Sequence, residues 1–319
     1  MRARTRHLPA LVAAAALALA GAACSSSPAS PGSGAPDAAG SGFPVTITSF
    51  AGRVHVPARP DAIISLSPTA TEMLYAIGAG GQVKAVDDDS DYPAGAPVTK
   101  LSGYTPNAEA IAAYRPDLVV ISNNIGGITA KLRALSVPVL DLPAAASLQQ
   151  EYAELEQLGS ATGHLAQARR EVTTIKSAIR KIVASEPART GPVSYYYELS
   201  TDPYYSATSS TFIGSVLALL GMKSIADAAK GAAAAGGYPT LSAEYILRAN
   251  PDYIILTDTG PTGGGQTAAT VSARPGWSVL SAVRDKHIIL LNADVASRWG
   301  PRVVDLLQEV AAALKTGTQ

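Results

Sequence analysis

The chain has 319 residues, 47% of them apolar, with 25 basic and 25 acidic side chains and so no formal net charge. That length suits two domains of ordinary size. Nothing in that even balance favours nucleic acid, which wants a basic stripe, and the single cysteine, Cys24, excludes a disulfide within the chain.

The N-terminus reads as a targeting segment. Arg2, Arg4 and Arg6 form a positive stretch, "LPALVAAAALALAGAA" is an apolar run ending in small residues, and Cys24 follows it. Residues 1–24 are therefore expected to be a lipoprotein signal peptide with Cys24 as the lipidated residue, although Gly21 stands where such signals usually carry Leu. A chain cut there loses three arginines and carries 22 basic against 25 acidic residues, a net of −3. Beyond Cys24 no run of ~18 apolar residues remains, so no membrane span is expected. Residues 25–42, "SSSPASPGSGAPDAAGSG", have little apolar bulk to pack and read as a flexible tether. The expected location is the extracytoplasmic face of the cell membrane, with the lipid as the only membrane attachment.

"FPVTITSFAGRVHVPARP" then suggests a hairpin turning at Ala51-Gly52. "AIISLSP" reads as a buried strand, "TATEMLYAIGAG" as a helix stopped by glycine, and "QVKAV" as the next strand. The stretch Asn107–Ser122, "NAEAIAAYRPDLVVIS", follows, and 135 residues later Ser242–Thr257 reads "SAEYILRANPDYIILT", identical at five of sixteen positions. In each copy an N-cap residue, Asn107 or Ser242, starts a short helix. Glu109 and Glu244 fall in the first turn, where the helix dipole favours negative charge. Pro116 and Pro251 end the helices, and the apolar runs after them suit strands buried on both faces of a parallel sheet. Between the copies come a helix near Thr129–Leu135 and the strand "VPVLDL". From Ser147 to Ala184 there is no strand signal.

"LGSATG", Leu158–Gly163, interrupts that stretch. Beyond it Leu165, Ala168, Val172, Ile175, Ile179 and Ile182 recur at steps of three and four, one apolar stripe of a continuous helix. Over His164–Glu186 it would be about 34 Å long, closed by Pro187. "VSYYYEL", the "FIGSVLALLG" helix, the second copy, "HIILLN" and an amphipathic helix to Lys315 complete the chain. The pattern predicts two α/β lobes, each with a parallel sheet, at residues 43–163 and 187–319, bridged by one long rigid helix at 164–186 with a ligand cleft between the lobes.

Motifs for catalysis are missing. His55, His164 and His287 lack ligand spacing. "DDDSD", Asp87–Asp91, lacks the glycine and terminal glutamate of a calcium loop and reads as a solvated acidic loop. "GGGQT" has no P-loop lysine, "GAGGQV" misses the dinucleotide fingerprint, and there is no G-x-S-x-G elbow. No enzymatic activity and no resident cofactor or metal are expected. The positive signal is aromatic: 13 tyrosines against three phenylalanines. Tyr195 and Tyr197 alternate within a strand and read as core. Tyr92, Tyr104 and Tyr238 lie in Gly/Pro-rich loops beside strand ends, where a flat apolar face with a polar tip suits a bulky ligand.

Together these features resemble the substrate-binding lipoproteins of ABC importers for vitamin B12 and ferric siderophores. The likeness runs from about Phe43 to Lys315. It rests on "FPVTITSFAG…VPARPDAIISLSPTATEMLYAIGA", "SDYP" at Ser90, the two PD-containing repeats, "LGSATG" and "ASRWGPR". The resemblance implies two lobes bridged by a rigid helix, a monomer that captures a metal chelate (cobalamin or a ferric siderophore, with haem as the alternative) and an ABC permease dimer as partner. It carries the cleft positions of the vitamin B12 binder onto Tyr92, Tyr104, Tyr205, Tyr238, Asp294 and Arg298, and the permease-docking glutamates onto Glu109 and Glu244. Asp89 departs from the pattern, standing where that binder has an aromatic residue. A cell-surface enzyme on the same scaffold and an adhesion lipoprotein are the rival readings.

Overall fold

The computed structural model describes residues 42–49, 52–187, 190–260 and 264–316. The expected signal peptide, Cys24, nearly all of the tether and Ala51 lie outside these residues. A hairpin of β1 (Val45–Ser49) and β2 (Gly52–Val56) opens the fold, its alternate residues Ile47, Val54 and Val56 turned inward.

The N-terminal lobe contains β3 (Ile63–Leu66), α1 (Pro68–Ala76), β4 (Val83–Val86), α2 (Ala108–Ala112), β5 (Leu118–Ile121), α3 (Ile128–Ala134) and β6 (Val139–Asp141). Two helices follow, α4 (Leu148–Thr162) and α5 (Leu165–Ala184). The C-terminal lobe begins with β7 (Val193–Glu198), β8 (Ser200–Thr201), β9 (Tyr204–Tyr205), α6 (Phe212–Ala218), β10 (Met222–Ser224) and β11 (Thr240–Leu241). It continues with α7 (Ala243–Ala249), β12 (Tyr253–Leu256), α8 (Ala268–Ser272), α9 (Ser281–Arg284), β13 (Ile288–Leu290), α10 (Ala293–Ser297) and α11 (Val303–Thr316).

Both lobes carry a four-stranded sheet, ordered β4-β3-β5-β6 and β10-β7-β12-β13, and every pairing in both is parallel. The order is the same in each: second strand, first, third, fourth. The repeated segments supply α2–β5 and α7–β12, and their strands hold the equivalent central place. Asn107 and Ser242 cap as expected, accepting from the amides of Ala110 at 2.8 Å and Tyr245 at 3.2 Å. Before each proline the chain turns through a left-handed residue, Arg115 at φ 50° and Asn250 at φ 45°.

The repeated aspartate has a role that the sequence did not reveal. Asp117 accepts from the amides of Asp61 and Ala62, both at 2.9 Å, at the entrance to β3. Asp252 accepts from the Ser194 amide at 2.8 Å and hydroxyl at 2.6 Å, near the start of β7. In each lobe it fastens the third strand to the first.

The bridging helix α5 is 20 residues long, about 30 Å, and begins and ends a residue or two inside the expected span. Ala168, Val172, Ile175, Ile179 and Ile182 of the expected stripe are buried, and α4 and α11 both pack on it. "LGSATG" is not an interruption as expected. Leu158–Thr162 is the last turn of α4, and only Gly163, at φ 79°, breaks the helix. Gly159 is needed there for closeness, since a Cβ would meet that of Ala168 at 2.6 Å.

One apolar core joins Ile47, Val54, Leu118 and Val120 of the first lobe, through α4 and α5, to Tyr195, Tyr197, Ile255 and Leu307 of the second. Each sheet has a separate core on its outer face, including Ile111 of α2 in one lobe and Ile246 of α7 in the other. The lobes therefore share their inner packing, which resists hinge motion. Tyr195 and Tyr197 are core residues as read. Among the described residues no helix is long and apolar enough to cross a membrane.

Candidate functional site

A cleft of about 800 Å³ opens where the four strands of the N-terminal sheet end. Ser67–Thr69 follow β3, Asp88, Asp89 and Asp91 follow β4, Ser122 and Asn123 follow β5, and Ala144 follows β6. Carboxyl ends of parallel strands are where open α/β sheets bind ligands. The facing wall comes from the other lobe: Asp294 and Ser297 of α10, then Arg298 and Trp299.

The acidic loop is only partly solvated. Asp87 and Ser90 are buried. Asp87 accepts from the Ser90 hydroxyl, which also pairs with Thr71 at 2.9 Å. Burial pushes the Asp87 carboxyl up to about 6 against the Ser90 bond, with Asp89 and Asp88 adding repulsion. Asp88, Asp89 and Asp91 remain exposed and line the cleft. Gly103 seats the Tyr104 loop on this frame, since a Cβ there would meet Asp87 Oδ2 at 2.8 Å and the Leu66 carbonyl at 2.9 Å.

Arg298 ties the facing wall down. It donates to Glu72 at 2.9 Å, to Asp91 and the Asp89 carbonyl at 3.1 Å each, and to Asp294 at 2.8 Å. Arg302 also donates to Glu72, through Nε at 2.7 Å and through Nη2, while its guanidinium lies 4.3 Å from the centre of the Tyr92 ring. Trp299 donates its indole N–H to Glu154 of α4 at 3.0 Å. Burial lifts Glu154 to about 7 against the Gln150 and Trp299 bonds, and lifts Glu151 well above the usual carboxylate range with Glu154 adding repulsion.

Residues 63–295 match the periplasmic binding protein family. The chain is a periplasmic binding protein. The match begins at the first residue of β3 and ends within α10, so it takes in both sheets. The uncharacterised ABC transporter substrate-binding lipoprotein YvrC of Bacillus subtilis is 30% identical over 86% of this chain and 87% of the relative. The vitamin B12-binding protein of Pectobacterium atrosepticum is 30% identical over 80% of this chain and 88% of its own. A solved structure of a possible iron-binding (periplasmic solute-binding) protein from Staphylococcus epidermidis superposes with a TM-score of 0.69 at 27% identity, covering 80% of this chain and 99% of the other.

Of the six ligand positions named from the sequence of this binding protein, three line this cleft. Tyr104, 71% exposed, lines the cleft with Asp294 and Arg298. Tyr92 stacks under Arg302, one contact behind the Glu72–Arg298 pair. Tyr205 and Tyr238 belong to the small antiparallel sheet β11-β9-β8 of the C-terminal lobe and its approach, with Tyr205 opposite Thr240, and neither lines this cleft. Burial raises the Tyr238 phenol, with a Thr211 bond opposing. Glu109 and Glu244 are exposed, each the second residue of a helix that packs on an outer sheet face through Ile111 or Ile246. Sequence reasoning missed Asp88, Asp91, Trp299 and the latching Glu72. The signals were present in "DDDSD", "ASRWGPR" and "TATEMLYAIGA", but nothing in them says which carboxylates face a cleft.

Proposed function

We propose that this protein is the extracytoplasmic capture component of an ABC importer. It binds a metal chelate, a corrinoid or ferric siderophore, in the cleft and hands it to a permease dimer. A lipid on Cys24 holds it at the membrane, and it works as a monomer. The observation that carries this reading is the cleft at the carboxyl ends of the N-terminal strands, in a binding-protein fold whose relatives include proteins named for vitamin B12 and iron. Tyr104 supplies an exposed aromatic face on one wall and Trp299 an indole on the other, as a bulky, partly apolar ligand requires.

For handover, Glu109 and Glu244 present one exposed carboxylate on each lobe. Two related lobes with equivalent acidic points suit two related, basic permease subunits. The test has two arms. Trp299 lies on the cleft wall and Trp277 is buried in the C-terminal lobe, so a bound chelate quenches the first. Titrating with cobalamin, several ferric siderophores and haem identifies the ligand, and its uptake is then measured in cells. Glu109→Lys with Glu244→Lys leaves affinity near normal and abolishes most uptake. Normal uptake by the double variant sinks the docking role, and the failure of every chelate to bind sinks the capture role.

A further inference from the structure

The cleft wall carries four aspartates, Asp88, Asp89, Asp91 and Asp294, against one arginine, Arg298. That arginine is already engaged. Its guanidinium is 3.1 Å from Asp91, 2.8 Å from Asp294 and 2.9 Å from Glu72, and its side chain is 9% exposed. Its one positive charge is shared among these three carboxylates, and it presents no open cation to a ligand. Asp88 and Asp89 are different. Both are exposed, and among the described residues no cation lies within ion-pair distance of either carboxylate. The remaining polar groups of the wall, such as Ser122 and Asn123, are uncharged.

We propose that Asp88 and Asp89 set the charge of the ligand: the cleft takes a neutral or cationic chelate that presents amide or ammonium donors, and rejects chelates with free carboxylate or catecholate charge. This rests on the capture role proposed above and narrows its ligand. Ionised carboxylates only accept hydrogen bonds, so a ligand amide or ammonium finds partners at this end of the cleft and a ligand carboxylate finds only repulsion. The low-dielectric walls of a cleft focus such a field. The Debye length at physiological salt is about 8 Å, longer than the gap between a bound ligand and the wall, so salt weakens the discrimination without erasing it.

The test compares chelates that differ in charge and little else, titrated calorimetrically into the purified full chain. One pair is cyanocobalamin and its monocarboxylate, in which a side-chain amide has been hydrolysed. The other is ferrioxamine B, cationic through its pendant ammonium, and its succinylated, anionic derivative. Within whichever pair binds, the anionic member is expected to bind about tenfold more weakly, the order of one unit-charge interaction a few ångströms away in a half-solvated cleft. Asp88→Asn with Asp89→Asn narrows that gap, raising affinity for the anion and lowering it for the cation. An anionic member that binds as tightly as its partner in the unaltered protein overturns the charge rule, as does a gap of the same size in the double variant. Tight binding of haem, with its two propionates, overturns the charge rule and leaves the capture role standing. If no chelate of either pair binds and haem does not, the capture role fails and the charge rule falls with it.

Discussion

Removing the Glu72 carboxylate unlatches the cleft's facing wall from the N-terminal lobe. Glu72 sits in α1 at 3% exposure, and its two oxygens receive Arg298 and Arg302 from positions 226 and 230 residues away. Burial works against the charge on Arg302, yet the Glu72 bond and charge, helped by Asp294 and Tyr92, hold that guanidinium above its ordinary value. In Glu72→Ala, Arg298 keeps Asp91, Asp294 and the Asp89 carbonyl. Arg302 keeps the Tyr92 ring. Breaking a buried ion pair by deleting one partner costs about 3–5 kcal/mol. The surviving partners of Arg298 and the 15% exposure of Arg302 set the cost at the lower end, about 3 kcal/mol. At about 2 °C per kcal/mol for a fold of this size, Tm falls by about 6 °C in scanning calorimetry. Glu72→Met with Arg302→Met strands one less cation, so the double variant is more stable than the sum of the single losses predicts. A fall of less than about 1 °C for Glu72→Ala, or strict additivity in the cycle, refutes the latch.

Asp117→Ala and Asp252→Ala each remove the acceptor of two hydrogen bonds at a strand entrance; each costs about 1 kcal/mol in urea unfolding, and the two losses match because the positions are equivalent. Glu154 titrates at about 7 in the fold through burial, against 4.5 as its ordinary value, so the folded state holds a proton that the unfolded chain has released. Its stabilising contribution is full below about pH 4.5 and is lost as pH rises through about 7, so Tm falls from pH 5 to 8; Asp87, at about 6, acts in the same direction, and Glu154→Gln makes the slope shallower. Tyr104→Ala weakens chelate binding several-fold in calorimetric titration, on the order of ~1 kcal/mol for a lost stacking contact, and weakens it more than Tyr205→Ala does.

The architecture was readable because it is written in periodicity. Buried parallel strands must be apolar on both faces, so Leu118–Ile121 and Tyr253–Leu256 announced themselves, and the five identities around them pointed to two similar α/β lobes; the strand order those lobes share came only from the structure. Helix α5 was readable from a stripe that only a helix can bury. The reading failed where contact rather than period decides. "LGSATG" looks like a break because glycine and serine are weak helix formers, yet Gly159 is there so that α4 can meet Ala168. In "DDDSD" nothing local tells Asp87, bonded beneath the loop, from Asp88 and Asp89 on its surface. Arg298 was singled out for a ligand, but its partner Glu72 is 226 residues away, and no pattern along the chain reports that distance closed.

The repeat itself separates two kinds of constraint. Asp117 and Asp252 recur because each fastens a strand, a role completed inside the fold. Glu109 and Glu244 recur beside them without such a role. Among the described residues no side-chain bond joins Glu109 to another element. The Glu244 acid is lowered by its own backbone amide and by Ser242, both at the start of its own helix, with burial opposing slightly. A first-turn carboxylate aids its helix, but Asp, Gln or Ser would serve a short helix nearly as well. Two exposed carboxylates at equivalent points of two lobes are the docking points proposed above, and among the described residues no side-chain bond to another element accounts for them. Stability measurements weigh the aspartates, and uptake is where the glutamates are to be weighed.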